Sequence, residues 1–247
     1  MAERVMTGGG LGQWWRGGLY LLIFALGAWA WGSGLLPVLL DNWDDIAYLG
    51  QQHIELVAIS AGMAILLGVP LGVALTRPPF RRYGDAAVQF LNIGATVPTL
   101  AVLALSMSLL GIGNTPAIFA LFIASLLPIV SNTMAGIRAV PQYLLESARG
   151  MGLSAGQIFW QVELPNALFV IYAGIRTALA INVGTAPLAF LIGGGGLGEL
   201  IFSGIALNEF GMMLSGAIPT ALLALAVDFL VIQLQRWTIA PGVNPLR

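Results

Sequence analysis

From Ala86 to Ile137 the chain runs for 52 residues without a charged side chain. A helix that spans the hydrocarbon core of a bilayer needs about 20 consecutive apolar residues, so this one stretch is long enough for two. The segment Gly111-Ile112-Gly113-Asn114-Thr115-Pro116 in its middle has the composition of a turn between them. The rest of the chain agrees: 58% of the 247 residues are hydrophobic and 9% are charged, against about 25% charged in soluble domains. The expected fold is an all-α, polytopic membrane protein.

Further spans are expected at Leu19–Leu40, His53–Thr76, Asn166–Ile192 and Met213–Gln235, giving six in all. The first is too long for a signal peptide and lacks a small-residue cleavage pattern, so it reads as an uncleaved span. The arginines test the count, because loops on the cytoplasmic side of a membrane carry an excess of basic residues. In a six-span arrangement Arg4, Arg16, Arg77, Arg81, Arg82, Arg138, Arg149, Arg236 and Arg247 fall on one side, while Asp41, Asp44, Asp45, Glu199 and Glu209 fall on the other. Both termini are then expected in the cytoplasm. Residues 1–52 read as a cytoplasmic tail, first span and external loop, 53–237 as a five-helix core with a long loop at 138–165, and 238–247 as a cytoplasmic tail.

Missing residue types exclude whole classes of chemistry. The chain has no cysteine, no lysine and one histidine, His53, which removes thiolate metal sites, Schiff-base lysines and histidine clusters. A Walker A loop needs a lysine for the nucleotide phosphates, so any ATP hydrolysis must belong to another chain. The arginines are dispersed, which argues against nucleic acid. Lipid is the expected environment. No catalytic residues or metal site are expected.

The loop at 138–165 carries the most information. Its apolar Leu145, Ala148, Met151 and Leu153, beside Glu146 and Arg149, suit an exposed docking knob that inserts an apolar ridge into a partner's groove. Gly152 has C-cap chemistry, so the loop reads as a short helix from Gln142, a turn through 153–156 and a second helix from Gln157. Pro165 is expected to bend the chain into the next span. The spacing Glu146-Ser147-Ala148, three residues, Gly152, nine residues, Val162, one residue, Leu164-Pro165 resembles the EAA loop of bacterial ABC importer permeases, with Ser147 and Val162 in place of Ala and Ile. The stretches Ala95–Leu100, Ala173–Ala178 and Ile192–Gly198 are similar to permeases for glycine betaine, choline, carnitine and related osmoprotectants.

That resemblance implies a type I ABC importer permease fold with a cytoplasmic coupling helix, in the bacterial inner membrane. It implies a second permease subunit, identical or paralogous, two ATP-binding subunits that hold ATP and magnesium, and an external or lipid-anchored substrate-binding protein. Glu146, Ser147, Ala148, Gly152, Leu153, Leu164 and Pro165 become the expected coupling residues. An ABC permease for another small solute, such as an amino acid or sulfonate, stands as the alternative, with a secondary transporter behind it.

Polar residues inside spans face protein or water rather than lipid, which marks Thr96, Pro98, Thr99, Asn182 and Thr185 as candidates for a translocation path. Arg176 and Asp228 are the charged residues deep in the fifth and sixth spans, and a structural ion pair between them is expected. Gly193–Gly196 read as a flexible or tightly packed connection at the external mouth, and His53 as an interfacial residue.

Overall fold

The acidic segment before the second expected span is helical rather than a loop. Asp44 and Asp45 lie in the first turn of a helix over Trp43–Ala74, where carboxylates complement the positive end of the helix dipole. The 32 residues reach about 48 Å at 1.5 Å per residue, more than a bilayer's hydrocarbon core requires. The computed structural model describes residues 34–243, together with 25, 27, 31 and 32. Most of the expected first span lies outside the described residues, and its end is the short helix α1, Leu35–Asp41.

After α2 (Trp43–Ala74) come α3 (Arg81–Thr96), α4 (Thr99–Leu110), α5 (Asn114–Arg138), α6 (Gln142–Gly150) and α7 (Ala155–Ile158). A π-helical turn, Phe159–Glu163, then leads into α8 (Leu164–Thr185), followed by a 3₁₀ turn, Ala186–Ile192, α9 (Gly198–Leu207) and α10 (Phe210–Thr238). Among the described residues there is no strand. Among the described residues four helical runs are long and apolar enough to cross a membrane: 43–74, 114–138, 155–192 and 210–238. The pair α3 and α4 makes a fifth if counted as one span, although the two are bent by 94°.

Pro98 stands at that bend. A residue before proline is pushed out of the helical region, and Val97 is extended (φ −71°, ψ 126°), which ends α3 outright. The break falls at the middle of the expected third span.

The core is α5 packed between α2 and α8. Helices in lipid associate through close backbone approach, with small residues at the contact. At Gly174 of α8 a Cβ would stand 2.6 Å from both the Pro128 carbonyl and the Asn132 Cβ of α5, so only glycine permits this crossing. Ala64, Ile129 and Ala178 continue the seam without exposed surface. The two ends of the bundle differ. One carries Arg77, Arg81, Arg138 and Arg149 with the loop 138–165, and the other carries the turns at 111–113 and 193–197.

Candidate functional site

The loop at 138–165 is a helical hairpin. Helix α6 ends in a full Schellman arrangement: the Leu153 N–H donates to the Ala148 carbonyl at 3.2 Å, and the Gly152 N–H to the Arg149 carbonyl at 2.9 Å. Gly152 makes it possible with φ +81°, a conformation that other L-residues adopt at a cost. A Cβ there would meet nothing within 4 Å, so the requirement is conformational and not steric. Ser154 then caps α7, accepting from the Gln157 N–H at 3.4 Å while its own N–H donates to Gln157 Oε1 at 2.8 Å. These reciprocal bonds fix the entry angle of the second arm.

The hairpin has its own small core. Leu145, Ala148 and Ile158 are buried with Val140, and Leu153 and Val162 pack against them. Burial of side chains the size of Leu145 and Ile158 contributes about 1.5–3 kcal/mol each. This corrects the expected docking surface, because Leu145 and Ala148 face inward. What α6 and its C-cap residue present outward is Tyr143, Glu146, Ser147 and Met151, the last 72% exposed.

Pro165 does not interrupt the helix. Its ring would strike the carbonyl four residues back in an α-helix, and the π-helical turn just before it, Phe159–Glu163, is a wider coil that accommodates the ring. The Asn166 side chain donates to the Val162 carbonyl at 2.7 Å within this turn. Residues 155–192 therefore form one helical run of 38 residues, and the second arm of the hairpin continues directly into a membrane span. Leu164 and Pro165 sit at this junction.

A residue pair not singled out in sequence holds the junction to the bundle. Arg77, in the turn after α2, meets Glu163 at 2.6 Å, and its guanidinium lies 5.0 Å from the centre of the Phe159 ring. Arg138 pairs with Asp85 at 2.7 Å nearby. Both pairs lie on the arginine-bearing side, which was their available sequence signal.

Thr96, Pro98 and Thr99 share the corner between α3 and α4. Thr96 donates to the Ile93 carbonyl at 2.7 Å, and the surrounding Phe90, Ile93, Val97 and Leu100 are exposed. Asn182 is elsewhere and has no exposed surface. It accepts from Ser60 of α2 at 3.1 Å and donates to Ser125 of α5 at 2.9 Å, so in this conformation it is a junction of three helices, not a path-lining group. Thr185 donates to its own helix at Ile181, 2.7 Å away.

The structure brings Arg176 and Asp228 together in a two-point contact, Nε to Oδ1 at 2.7 Å and Nη2 to Oδ2 at 3.0 Å. At the opposite end His53 is fully buried rather than interfacial, with Nε2 3.2 Å from the Val183 carbonyl. The glycine turn packs on it. The Gly196 N–H donates to Gln52 at 3.2 Å and the Gly195 N–H to Asn114 at 2.9 Å, and Gly198 abuts the Pro187 carbonyl. The turn is a tight latch among α2, α5 and α9. Among the described residues no group of three or more His, Cys, Asp and Glu side chains could hold a metal.

Comparison with known proteins matches this arrangement. The chain is 52% identical over 211 residues to the osmoprotectant import permease protein OsmY of Salmonella typhimurium, covering 85% of this chain and 89% of that protein. It is 39% identical over 213 residues to the glycine betaine/carnitine/choline transport system permease protein OpuCB of Bacillus subtilis, covering 86% and 97%. The fold is similar to that of a chain of the MetNI methionine ABC transporter in an inward-facing conformation, with a TM-score of 0.68 at 22% identity over 79% of this chain and 96% of that one. Residues 64–239, which include the hairpin and both halves of the bent pair, match the profile of binding-protein-dependent transport system inner membrane components, and the chain belongs to that family.

Proposed function

We propose that this chain is the membrane-spanning permease subunit of an ATP-driven ABC importer for a quaternary ammonium osmoprotectant such as glycine betaine, choline or carnitine. The observation that carries the reading is the capped hairpin at 138–165. It holds the Glu146-to-Pro165 spacing, exposes Glu146, Ser147 and Met151, and runs into a span without a break. A helical rod transmits displacement because its internal hydrogen bonds resist bending, so a push on α6 from an ATP-binding subunit reaches α8 and the α2–α5–α8 core.

In this reading two copies of the ATP-binding subunit hold ATP and magnesium, and this chain has no cofactor and no catalytic residue. Both termini and the hairpin face the cytoplasm, in keeping with the arginine asymmetry. The exposed corner of Thr96, Pro98 and Thr99, with Phe90 76% exposed beside it, faces a second permease subunit, identical or paralogous, and the translocation path between them. Arg176 and Asp228 brace α8 against α10.

Substrate choice rests with the external binding protein. A quaternary ammonium ion is held by converging aromatic faces, at about 0.5–2 kcal/mol per contact. The aromatic residues of the expected third and fifth spans, Phe90, Phe169, Tyr172 and Phe190, form no ring pair with one another: Phe90 is exposed, Tyr172 meets Thr238, and Phe190 stacks on Phe202. Such a path lets the cation pass without a deep energy well. The test is ATP hydrolysis by the reconstituted complex. Betaine-loaded binding protein is expected to stimulate it far more than free betaine. Equal stimulation by free betaine would place selection in these spans, and stimulation only by an amino-acid-loaded binding protein would overturn the substrate.

A further inference from the structure

Behind the hairpin, on the side facing the bundle, lies a cavity of about 510 Å³. Its walls come from the turn after α2, the start of α3, the end of α5 and both arms of the hairpin. They include four arginines, Arg77, Arg81, Arg138 and Arg149, and one carboxylate, Glu163. Arg77 is paired with Glu163, and Arg138 with Asp85. Arg81 and Arg149 make no ion pair among the described residues.

The start of α3 adds an electrostatic mismatch. The N-terminal end of a helix carries partial positive charge and favours anions, yet α3 opens on Arg81 and Arg82, with no acidic residue in its first turn and no side-chain cap. The guanidinium groups of Arg81 and Arg149 and the positive end of α3 therefore line one cavity. An anion there would neutralise both guanidinium groups beside the positive end of the helix, whose Arg81 and Tyr83 N–H groups already bond to the Arg77 and Phe80 carbonyls. Arginine's planar fork suits phosphate oxygens, and the volume accommodates a phosphate or a phospholipid headgroup.

We propose that this cavity binds a phosphate-type anion, with Arg81 and Arg149 as its principal ligands. The bound anion ties the first arm of the hairpin to the bundle, since Arg81 belongs to α3 and Arg149 to α6. Such a tie makes the position of the coupling hairpin sensitive to the anion's presence. The anion's source is the headgroup of an acidic phospholipid at the membrane surface or free phosphate from solution. The inference holds for either bilayer orientation and does not depend on the substrate proposed above.

The full-length permease is placed in nanodiscs of phosphatidylcholine, with or without phosphatidylglycerol, and its retained lipid is counted by native mass spectrometry after mild extraction. In a second arm, inorganic phosphate is titrated into the phosphatidylcholine discs and the thermal midpoint is followed. Loss of a charge-assisted contact is expected to lower occupancy on the order of tenfold in Arg81→Gln/Arg149→Gln. Each single variant is expected to show part of that loss. Arg82→Gln is the control for general surface charge, because Arg82 lies over the Tyr83 ring at 4.5 Å and does not line the cavity.

Selective loss of phosphatidylglycerol in the double variant identifies the headgroup as the source, and selective loss of the phosphate-induced shift identifies free phosphate. Equal behaviour of parent and double variant in both arms overturns the proposal, as does an equal loss in Arg82→Gln. Reduced copurification of the ATP-binding subunit with unchanged lipid and phosphate binding also overturns it, because the two arginines then serve a protein partner. An unchanged thermal midpoint of the variants in phosphatidylcholine without phosphate verifies that they are folded.

Discussion

Gly152 separates two reasons for which a glycine can be required. Its φ of +81° penalises a side chain, while the space around its Cβ position is open within 4 Å. In this conformation an ordinary L-residue costs about 1–2 kcal/mol, and asparagine less. A penalty of 1–2 kcal/mol shifts the balance between the closed hairpin and an opened one by about 5- to 30-fold. The perturbation releases the Schellman bonds from Leu153 and Gly152 and loosens the packing of Leu153 on Ala148. The core of α2, α5 and α8 stays intact, so abundance in the membrane is expected to hold. Substrate uptake and copurification of the ATP-binding subunit are then compared for Gly152→Asn, Gly152→Ala and Gly152→Leu at matched abundance. Asparagine is expected to retain most of the activity, and alanine and leucine to lose it to a similar degree. Full transport by Gly152→Leu would refute the hairpin's role. Equal loss in all three would refute the conformational argument and locate the requirement in a partner's surface instead.

Other consequences follow from the same contacts. Arg176→Gln and Asp228→Asn each leave a charge without its partner and are expected to lower the yield of folded protein in detergent. The swap Arg176→Asp/Asp228→Arg is expected to recover part of it, whereas no recovery would argue against a structural pair. Asn182→Leu removes bonds across three helices while Ser60 and Ser125 keep acceptors in their own helices, so a cost of about 0.6–1.7 kcal/mol in thermal unfolding is expected. Loss of transport without loss of stability in that variant would return Asn182 to the path. Single cysteines introduced at Asp44 and Glu209 of this cysteine-free chain are expected to react with an impermeant thiol reagent from outside, and one at Arg82 is not. Outside labelling at Arg82 would invert the orientation.

Spans were legible because the bilayer imposes a length that sequence windows register directly, as at Asn166–Ile192 and in the uncharged run around 111–113. Arg176 and Asp228 were legible as a pair for a related reason, since few charged groups lie so deep in the spans. Pro98 was marked in sequence only as a path candidate, and the 94° turn there was not legible because it depends on how α3 and α4 each pack on α5. The hairpin showed its amphipathic face without its direction. Helical periodicity places Leu145 and Ala148 on one side, and only the return of Ile158 shows that this side is covered from within. His53 was misread because its cover comes from Val183 and the glycine turn, well over a hundred residues later in the chain. Local composition carries no record of such a partner.

The coupling proposed above runs through the outward face of the hairpin. A photo-cross-linking amino acid placed at Met151, which is 72% exposed on that hairpin, addresses this in the assembled complex, with Leu109, 81% exposed near the opposite end of the bundle, as its counterpart. The measured quantity is the adduct between this chain and the ATP-binding subunit. An adduct from Met151 is expected, its yield changing between nucleotide-free and ATP-bound complexes, and none from Leu109. An adduct from Leu109 with none from Met151 would contradict that coupling.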